Sequence, residues 1–186
     1  ARWFTHVLMN PSSGAMSRSL FVNKEALEKG AVRPADVADQ RVRKVGVLGA
    51  GMMGAGIALV SAQAGIEVVL IDQKQEAADK GKAYSADYAA KGVSRKKITQ
   101  EKADEMVGRI TATTDYGALK GCDLIVEAIV EDLDVKNRLF KELGGLCKPE
   151  TIFASNTSSF PIAEMGEASG RPERMVGLHF FNPVQL

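Results

Sequence analysis

Val45-Gly46-Val47-Leu48-Gly49-Ala50-Gly51-Met52-Met53-Gly54 decides the fold: an apolar run stops at a G-x-G-x-x-G pattern, and a small-residue stretch over residues 52–64, ended by Gly65, follows. A glycine trio at this spacing occurs by chance. Here it lies directly after a strand signal and opens a helical one, which is where a dinucleotide-binding turn is needed. Gly49 permits the tight turn, Gly51 lets the backbone approach a pyrophosphate, and Gly54 lets the helix pack close to the strand. With Ala50, Met52 and Met53 they form a loop whose N–H groups meet the phosphates at a helix N-terminus. A ligand-free glycine-rich turn is the plainer alternative.

Val68-Val69-Leu70-Ile71 is a second continuous apolar run, and it ends at Asp72, 18 residues beyond Gly54. A carboxylate there accepts hydrogen bonds from the adenosine ribose hydroxyls and repels a 2′-phosphate. Gln73 follows, with no adjacent arginine to receive that phosphate. The expected cofactor is NAD rather than NADP.

The alternation of strand and helix continues beyond the loop. Runs apolar throughout suit parallel strands covered on both faces. The pattern predicts a long alanine-rich helix over residues 75–90, then Gly92 and the basic Arg95-Lys96-Lys97. Thr99 then reads as the N-cap of a further helix, with Lys102 rather than Glu at its third position. Strands are predicted at residues 44–48, 110–112, 124–128, 151–154 and 175–180, with a helix over residues 135–146. This βαβα order implies an α/β, Rossmann-like, doubly wound and mainly parallel sheet with helices on both faces and a helical hairpin insertion.

Residues 1–40 differ in character and read as a partly helical linker, in which Leu20, Phe21 and Leu27 form one apolar side that docks on something larger. Residues 41–186 are the expected cofactor-binding domain, with one core. Lys plus Arg number 24 against 23 Asp plus Glu, so no excess of positive charge points to nucleic acid or an anionic membrane. Cys122 and Cys147 form no CxxC pair, and with His6 and His179 the only histidines, no metal site is expected. The cysteines, and Met52 and Met53 where helix packs on sheet, read as core filling, and His6 as a surface residue. No apolar run approaches a membrane span and no signal peptide is visible, which fits a cytoplasmic protein.

Two later segments are more specific. Ser155-Asn156-Thr157-Ser158-Ser159 sits at the end of one predicted strand and Gly177-Leu178-His179-Phe180-Phe181-Asn182-Pro183 at the end of the next. In an open α/β sheet the ligand crevice lies beyond the carboxyl ends of the strands, so both face the cofactor. With Val126-Glu127-Ala128-Ile129-Val130-Glu131-Asp132, these residues resemble the L-3-hydroxyacyl-CoA dehydrogenase family over residues 44–186.

That resemblance implies oxidation of L-3-hydroxyacyl-CoA to 3-ketoacyl-CoA with hydride transfer to NAD, a step of fatty-acid β-oxidation. It assigns His179 as general base, a role that suits a side chain titrating near neutral pH. A strand-end histidine satisfied by backbone is the plain alternative. The resemblance further places Ser158 on the substrate oxygen, Asn182 beside the nicotinamide, and Ala128, Glu131 and Lys136 at the cofactor. Arg95 and Lys96 could meet the CoA phosphates, although a solvated charge run explains them equally. Residues 1–40 resemble the linker of multifunctional β-oxidation proteins, in which a hydratase domain precedes the dehydrogenase. The family implies a homodimer or a complex with a thiolase, in the bacterial cytoplasm or, in a eukaryote, the mitochondrial matrix or peroxisome.

In the family a glutamate about a dozen positions after His179 orients the imidazole, and an all-helical domain closes over the acyl-CoA. Neither lies within these residues, so the chain is expected to be a fragment. A related hydroxy-acid dehydrogenase without a CoA substrate and a non-catalytic NAD-binding module are the competing readings. The expected behaviour of the isolated chain is retained NAD affinity with little or no turnover. A steady-state rate matching a full-length family enzyme would contradict it.

Overall fold

Asn10 and Pro11 divide the first residues into two helices. The computed structural model, which describes residues 2–37 and 41–185, shows α1 (Arg2–Met9) and then α2 (Pro11–Ser17), whose N-cap Asn10 accepts the N–H of Ser12. A π-helical stretch, Arg18–Asn23, leads into α3 (Lys24–Glu28). None of these helices buries a residue, and Leu20, Phe21 and Leu27 of the expected apolar side are exposed. Part of the expected linker, residues 38–40, lies outside the described residues. The chain divides into two units, one ending at Arg41 and one starting at Val42.

The second unit is built on six strands, β1 (Lys44–Leu48), β2 (Glu67–Ile71), β3 (Ile110–Thr113), β4 (Leu124–Glu127), β5 (Ile152–Ser155) and β6 (Met175–Gly177). They lie in the order β3-β2-β1-β4-β5-β6, and every pair is parallel. The sheet is therefore wholly rather than mainly parallel. Side chains alternate between its faces, and both are buried. Val45, Val47, Val68 and Leu70 enter a core shared with α4 (Met52–Gln63), α5 (Gln75–Ser94) and α6 (Gln100–Gly108). Leu48, Val69, Ile71 and Phe153 enter a second core beneath α7 (Leu133–Leu146) and α8 (Ile162–Ser169). Cys122 and Cys147 are free thiols in that second core, and burial pushes the Cys122 thiol up to about 11.

Register places the strand ends in one row: Leu48 faces Ile71 and Glu127, Glu127 faces Ser155, and Ser155 faces Gly177. The turns that follow these residues share one edge of the sheet.

Several expectations require correction. The last strand ends at Gly177, not residue 180. Leu178 still donates to Ser155 O, but the Phe180 N–H goes to the side-chain Oδ1 of Asn156, so pairing with β5 stops. Val184, farther on, packs over α4, where a Cβ on Gly56 would lie 3.0 Å from it. Helix α5 runs on through Gly92 to Ser94 because the α5–α6 hairpin packs closely there; a Cβ at Gly92 would meet Ile98 at 3.1 Å. Met52 is 70% exposed and Met53 half-buried, so Met52 fills no core. It is the first residue of α4 and lies on the loop side of the helix. Helix α8 and the 3-10 turn Tyr116–Gly121 were not expected.

Arg171 holds the α7–α8 layer to the sheet. Its guanidinium donates to the carbonyls of Gly144 (2.5 Å), Cys147 (3.0 Å) and Lys148 (2.8 Å), at the C-terminal end of α7, and lies over the Phe153 ring. These carbonyls have no helical donors, and a cation also suits the negative end of the helix dipole. Arg171→Ala should cost about 2–3 kcal/mol, the worth of charged hydrogen bonds to partly buried acceptors. A thermal melt should show the midpoint lowered by about 4–10 °C.

Candidate functional site

The glycine loop starts from backbone contact. Gly49 has φ 93°, donates to Ile71 O at 2.8 Å, and has no room for a side chain, since a Cβ would lie 2.4 Å from Ala128 O. At Gly54 a Cβ would lie 1.7 Å from Gly49 O, so the first turn of α4 sits directly on the end of β1. Gly51 is the opposite case: it caps α4, and no atom comes within 4 Å of its Cβ position. Open space therefore lies over a helix start whose first N–H groups have no intrahelical acceptors.

Asp72 closes the loop from β2. Its Oδ2 accepts the Ala50 N–H at 2.8 Å and its Oδ1 the Gln73 N–H at 2.7 Å. The carboxylate is thereby aimed, with lone pairs left for hydroxyl donors. Gly49, Gly51, Asp72, Gln73 and Ala128 line one groove of about 600 Å³. The open cradle at Gly51 and the oriented carboxylate fit an NAD pyrophosphate and adenosine ribose.

Three groove residues carry no sequence signal. Tyr116 comes from the 3-10 turn, with its hydroxyl pKa raised by burial and by the charges of Glu142 and Asp72. Arg138 and Glu142 come from α7. No arginine neighbours Asp72 in sequence, yet topology brings Arg138 into the same groove. Only the strand order could have revealed it.

At the other end of the row lies a buried polar cluster. Glu127, at the end of β4, is wholly buried and pairs with Lys136 Nζ at 2.6 Å. Lys136, itself buried on α7, also reaches Glu131 Oε2 at 3.1 Å. Glu131 accepts from Thr157 Oγ1 and from Ser159 Oγ (3.0 Å). Partial burial raises the pKa of Glu131, but the hydrogen bonds from Thr157, Lys136 and Ser159 outweigh it and hold the carboxyl below its usual range. Glu127 was not a candidate from the sequence, where it reads as one more residue of an apolar strand.

Ser158, His179 and Asn182 are exposed on the segments following β5 and β6, which the Asn156–Phe180 hydrogen bond (2.8 Å) ties together. The His179 ring meets Phe181 edge-on, with centroids 5.1 Å apart. Arg95 and Lys96 lie elsewhere, on the α5–α6 turn. Arg95 lines a separate basic pocket of about 580 Å³ with Lys91, Lys97 and Lys102, which extends to Gln63 at the end of α4 and Arg109 just before β3. These are at the N-terminal edge of the sheet, opposite the row of strand ends. The geometry does not bring Arg95 and Lys96 to His179. Among the described residues no three His, Cys, Asp or Glu cluster to hold a metal ion, and no helix is long and apolar enough to cross a membrane.

Residues 44–186 match the family described as 3-hydroxyacyl-CoA dehydrogenase, NAD binding domain. A probable 3-hydroxybutyryl-CoA dehydrogenase of Deinococcus radiodurans is 52% identical over 143 residues, 77% of this chain and 51% of that protein. A fatty acid oxidation complex subunit alpha of Shewanella halifaxensis is 41% identical over 187 residues, 100% of this chain and 26% of its own length. Among solved structures, (S)-3-hydroxybutyryl-CoA dehydrogenase from Ralstonia eutropha superposes with a TM-score of 0.75 at 37% identity, over 78% of this chain and 52% of that one. The chain thus spans about half the length of the dehydrogenases it matches and about a quarter of the alpha subunit.

The Gly54–Gly49 contact yields a direct test. Gly54→Ala must displace the loop that Asp72 anchors, so NADH affinity, read by fluorescence titration, should fall at least tenfold, about 1.4 kcal/mol. An affinity equal to that of the parent chain would show that the loop does not hold the cofactor.

Proposed function

Because this chain belongs to the 3-hydroxyacyl-CoA dehydrogenase family through its NAD-binding domain, we propose that it supplies the cofactor half of an enzyme oxidising L-3-hydroxyacyl-CoA to 3-ketoacyl-CoA in fatty-acid β-oxidation. One observation carries this reading: register places the glycine loop, the Ser155–Ser159 segment and the His179 segment on one edge of the sheet. Bound NAD supplies the hydride acceptor. His179, exposed on its turn, takes the proton of the substrate 3-hydroxyl as hydride leaves C3. Ser158 donates a hydrogen bond to the same oxygen, Asn182 would lie beside the nicotinamide, and Glu131 would meet the nicotinamide ribose, while Lys136, buried between Glu127 and Glu131, acts on the cofactor only through Glu131. Asp72 and Gln73 hold the adenosine end.

The (S) configuration in the name of the Ralstonia enzyme, which is the L series, supports an L substrate here. The basic pocket beside Arg95, together with Lys96, offers charge for CoA phosphates away from the redox centre. The Shewanella alpha subunits align over the whole chain, whereas the 3-hydroxybutyryl-CoA dehydrogenases align over 143 and 145 residues. That difference supports residues 1–40 as the linker of a multifunctional β-oxidation protein and residues 41–186 as its NAD-binding domain. The family's helical domain and a thiolase or second copy would complete the assembly in the cytoplasm.

The test uses the full-length protein with NADH and a short 3-ketoacyl-CoA. His179→Ala should lower kcat by about 10²–10⁴-fold, the usual worth of a general acid–base, with NADH affinity unchanged. An unaltered rate would leave a non-catalytic NAD-binding module as the better reading.

A further inference from the structure

Glu127 has no part in the chemistry above, yet it is the most enclosed charge at the strand ends. Its Oε1 accepts from Lys136 Nζ (2.6 Å) and the Ile129 N–H (2.8 Å), and its Oε2 from Ser155 Oγ (2.5 Å). Ser155 Oγ in turn accepts the Thr157 N–H at 3.2 Å. Glu127 O accepts the Asn156 N–H at 2.9 Å, and Asn156 Oδ1 holds the Phe180 N–H. On the far side Lys136 bonds Glu131, which clasps Thr157 and Ser159. The network therefore grips the chain on both sides of Ser158 and at the residue after His179.

A buried ion pair is a poor stabiliser, because desolvation consumes most of the Coulombic gain and an apolar pair of equal size often does as well. What charge adds at this place is direction: each oxygen of Glu127 fixes a different segment. We infer that Glu127 is a positioning residue that holds Lys136 and Ser155 so that the Ser158 segment, the Glu131 carboxylate and the His179 turn keep one arrangement at the nicotinamide end of the groove. The inference rests on the functional reading above. Without the carboxylate, Lys136 keeps only the partly exposed Glu131 Oε2 as a charged partner and is free to draw that side chain, whose Oε1 holds Thr157 and Ser159, out of place. Ser155 then loses its acceptor, and the Ser158 segment is held only by backbone.

The test is made in the full-length protein with NADH and a short 3-ketoacyl-CoA. Glu127→Gln keeps size and one acceptor but presents an amide N–H to the Ser155 hydroxyl. It should lower kcat about tenfold or more while the KM for the acyl-CoA stays within about threefold, the signature of lost transition-state alignment rather than lost binding. Ser155→Ala, which leaves the ion pair intact, should lower kcat by about threefold or more in the same way. The double variant should be little worse than Glu127→Gln alone, because both changes break one network. A cooperative thermal transition in each variant separates misalignment from unfolding.

A folded Glu127→Gln with kcat within about twofold of the parent overturns the inference, as do losses that simply multiply in the double variant. Should Glu127→Gln not fold, an unchanged kcat in Ser155→Ala overturns it. His179→Ala is run alongside. If that variant is inactive while Glu127→Gln is fully active, the positioning role alone fails. If it keeps the parent rate, the dehydrogenase reading fails and the positioning role with it.

Discussion

The nucleotide half of this domain depends on the approach of the first turn of α4 to the end of β1. With a hydrogen atom at Gly54, the helix rests on the carbonyl oxygen of Gly49; with a Cβ, the separation would be 1.7 Å. Helix α4 can come this close because its buried positions are mostly glycine and alanine, Gly54, Ala55, Gly56, Ala58 and Ala62, with Ile57 and Leu59 filling the remaining space. The approach sets the height of the helix N-terminus above the sheet. It thereby puts the open cradle at Gly51 within reach of Asp72 on the neighbouring strand.

The other half of the strand-end row is organised by charge instead of by close backbone approach. Glu127 faces Leu48 on one side and Ser155 on the other, so the same register that aligns the loop also seats a carboxylate between the two strand-end segments. Asp72 and Glu127 act alike in one respect. Each is aimed by backbone N–H donors, Ala50 and Gln73 for the first, Ile129 for the second. They differ in exposure: Asp72 faces the groove, whereas Glu127 is sealed beneath it.

The fold was legible wherever local pattern and tertiary demand coincide. Apolar runs bounded by glycine gave β1 and β2, and Thr99 gave the start of α6, where its side chain accepts the Lys102 N–H at 3.3 Å. Boundaries went astray where a distant side chain decides, as when Asn156 takes the Phe180 N–H and ends β6, or when Ile98 makes Gly92 a packing position inside α5. Within the candidate site, the loop glycines and the acid Asp72 with its neighbour Gln73 were readable because a phosphate-binding turn has a fixed spacing, whereas Ala128 was readable only through the family resemblance. Tyr116, Arg138, Glu127 and Arg171 were not, since each acts across elements that only the strand order makes neighbours. A lone buried acid in an apolar strand has no periodicity to betray it.

The pairing of β1 with β4 sets Val45 beside Leu124, although 79 residues separate them in the chain. Closing so long a loop carries an entropic cost that is recovered only when the two halves of the sheet meet. The groove runs along that seam, with Gly49 and Asp72 on one side and Ala128 and Arg138 on the other. It therefore does not exist in a chain whose halves have formed separately. A dinucleotide seated in the groove touches both sides of the seam and so binds the joined state more tightly than either half, which makes it a thermodynamic rivet: by mass action it draws the folding equilibrium toward the joined state as its concentration rises.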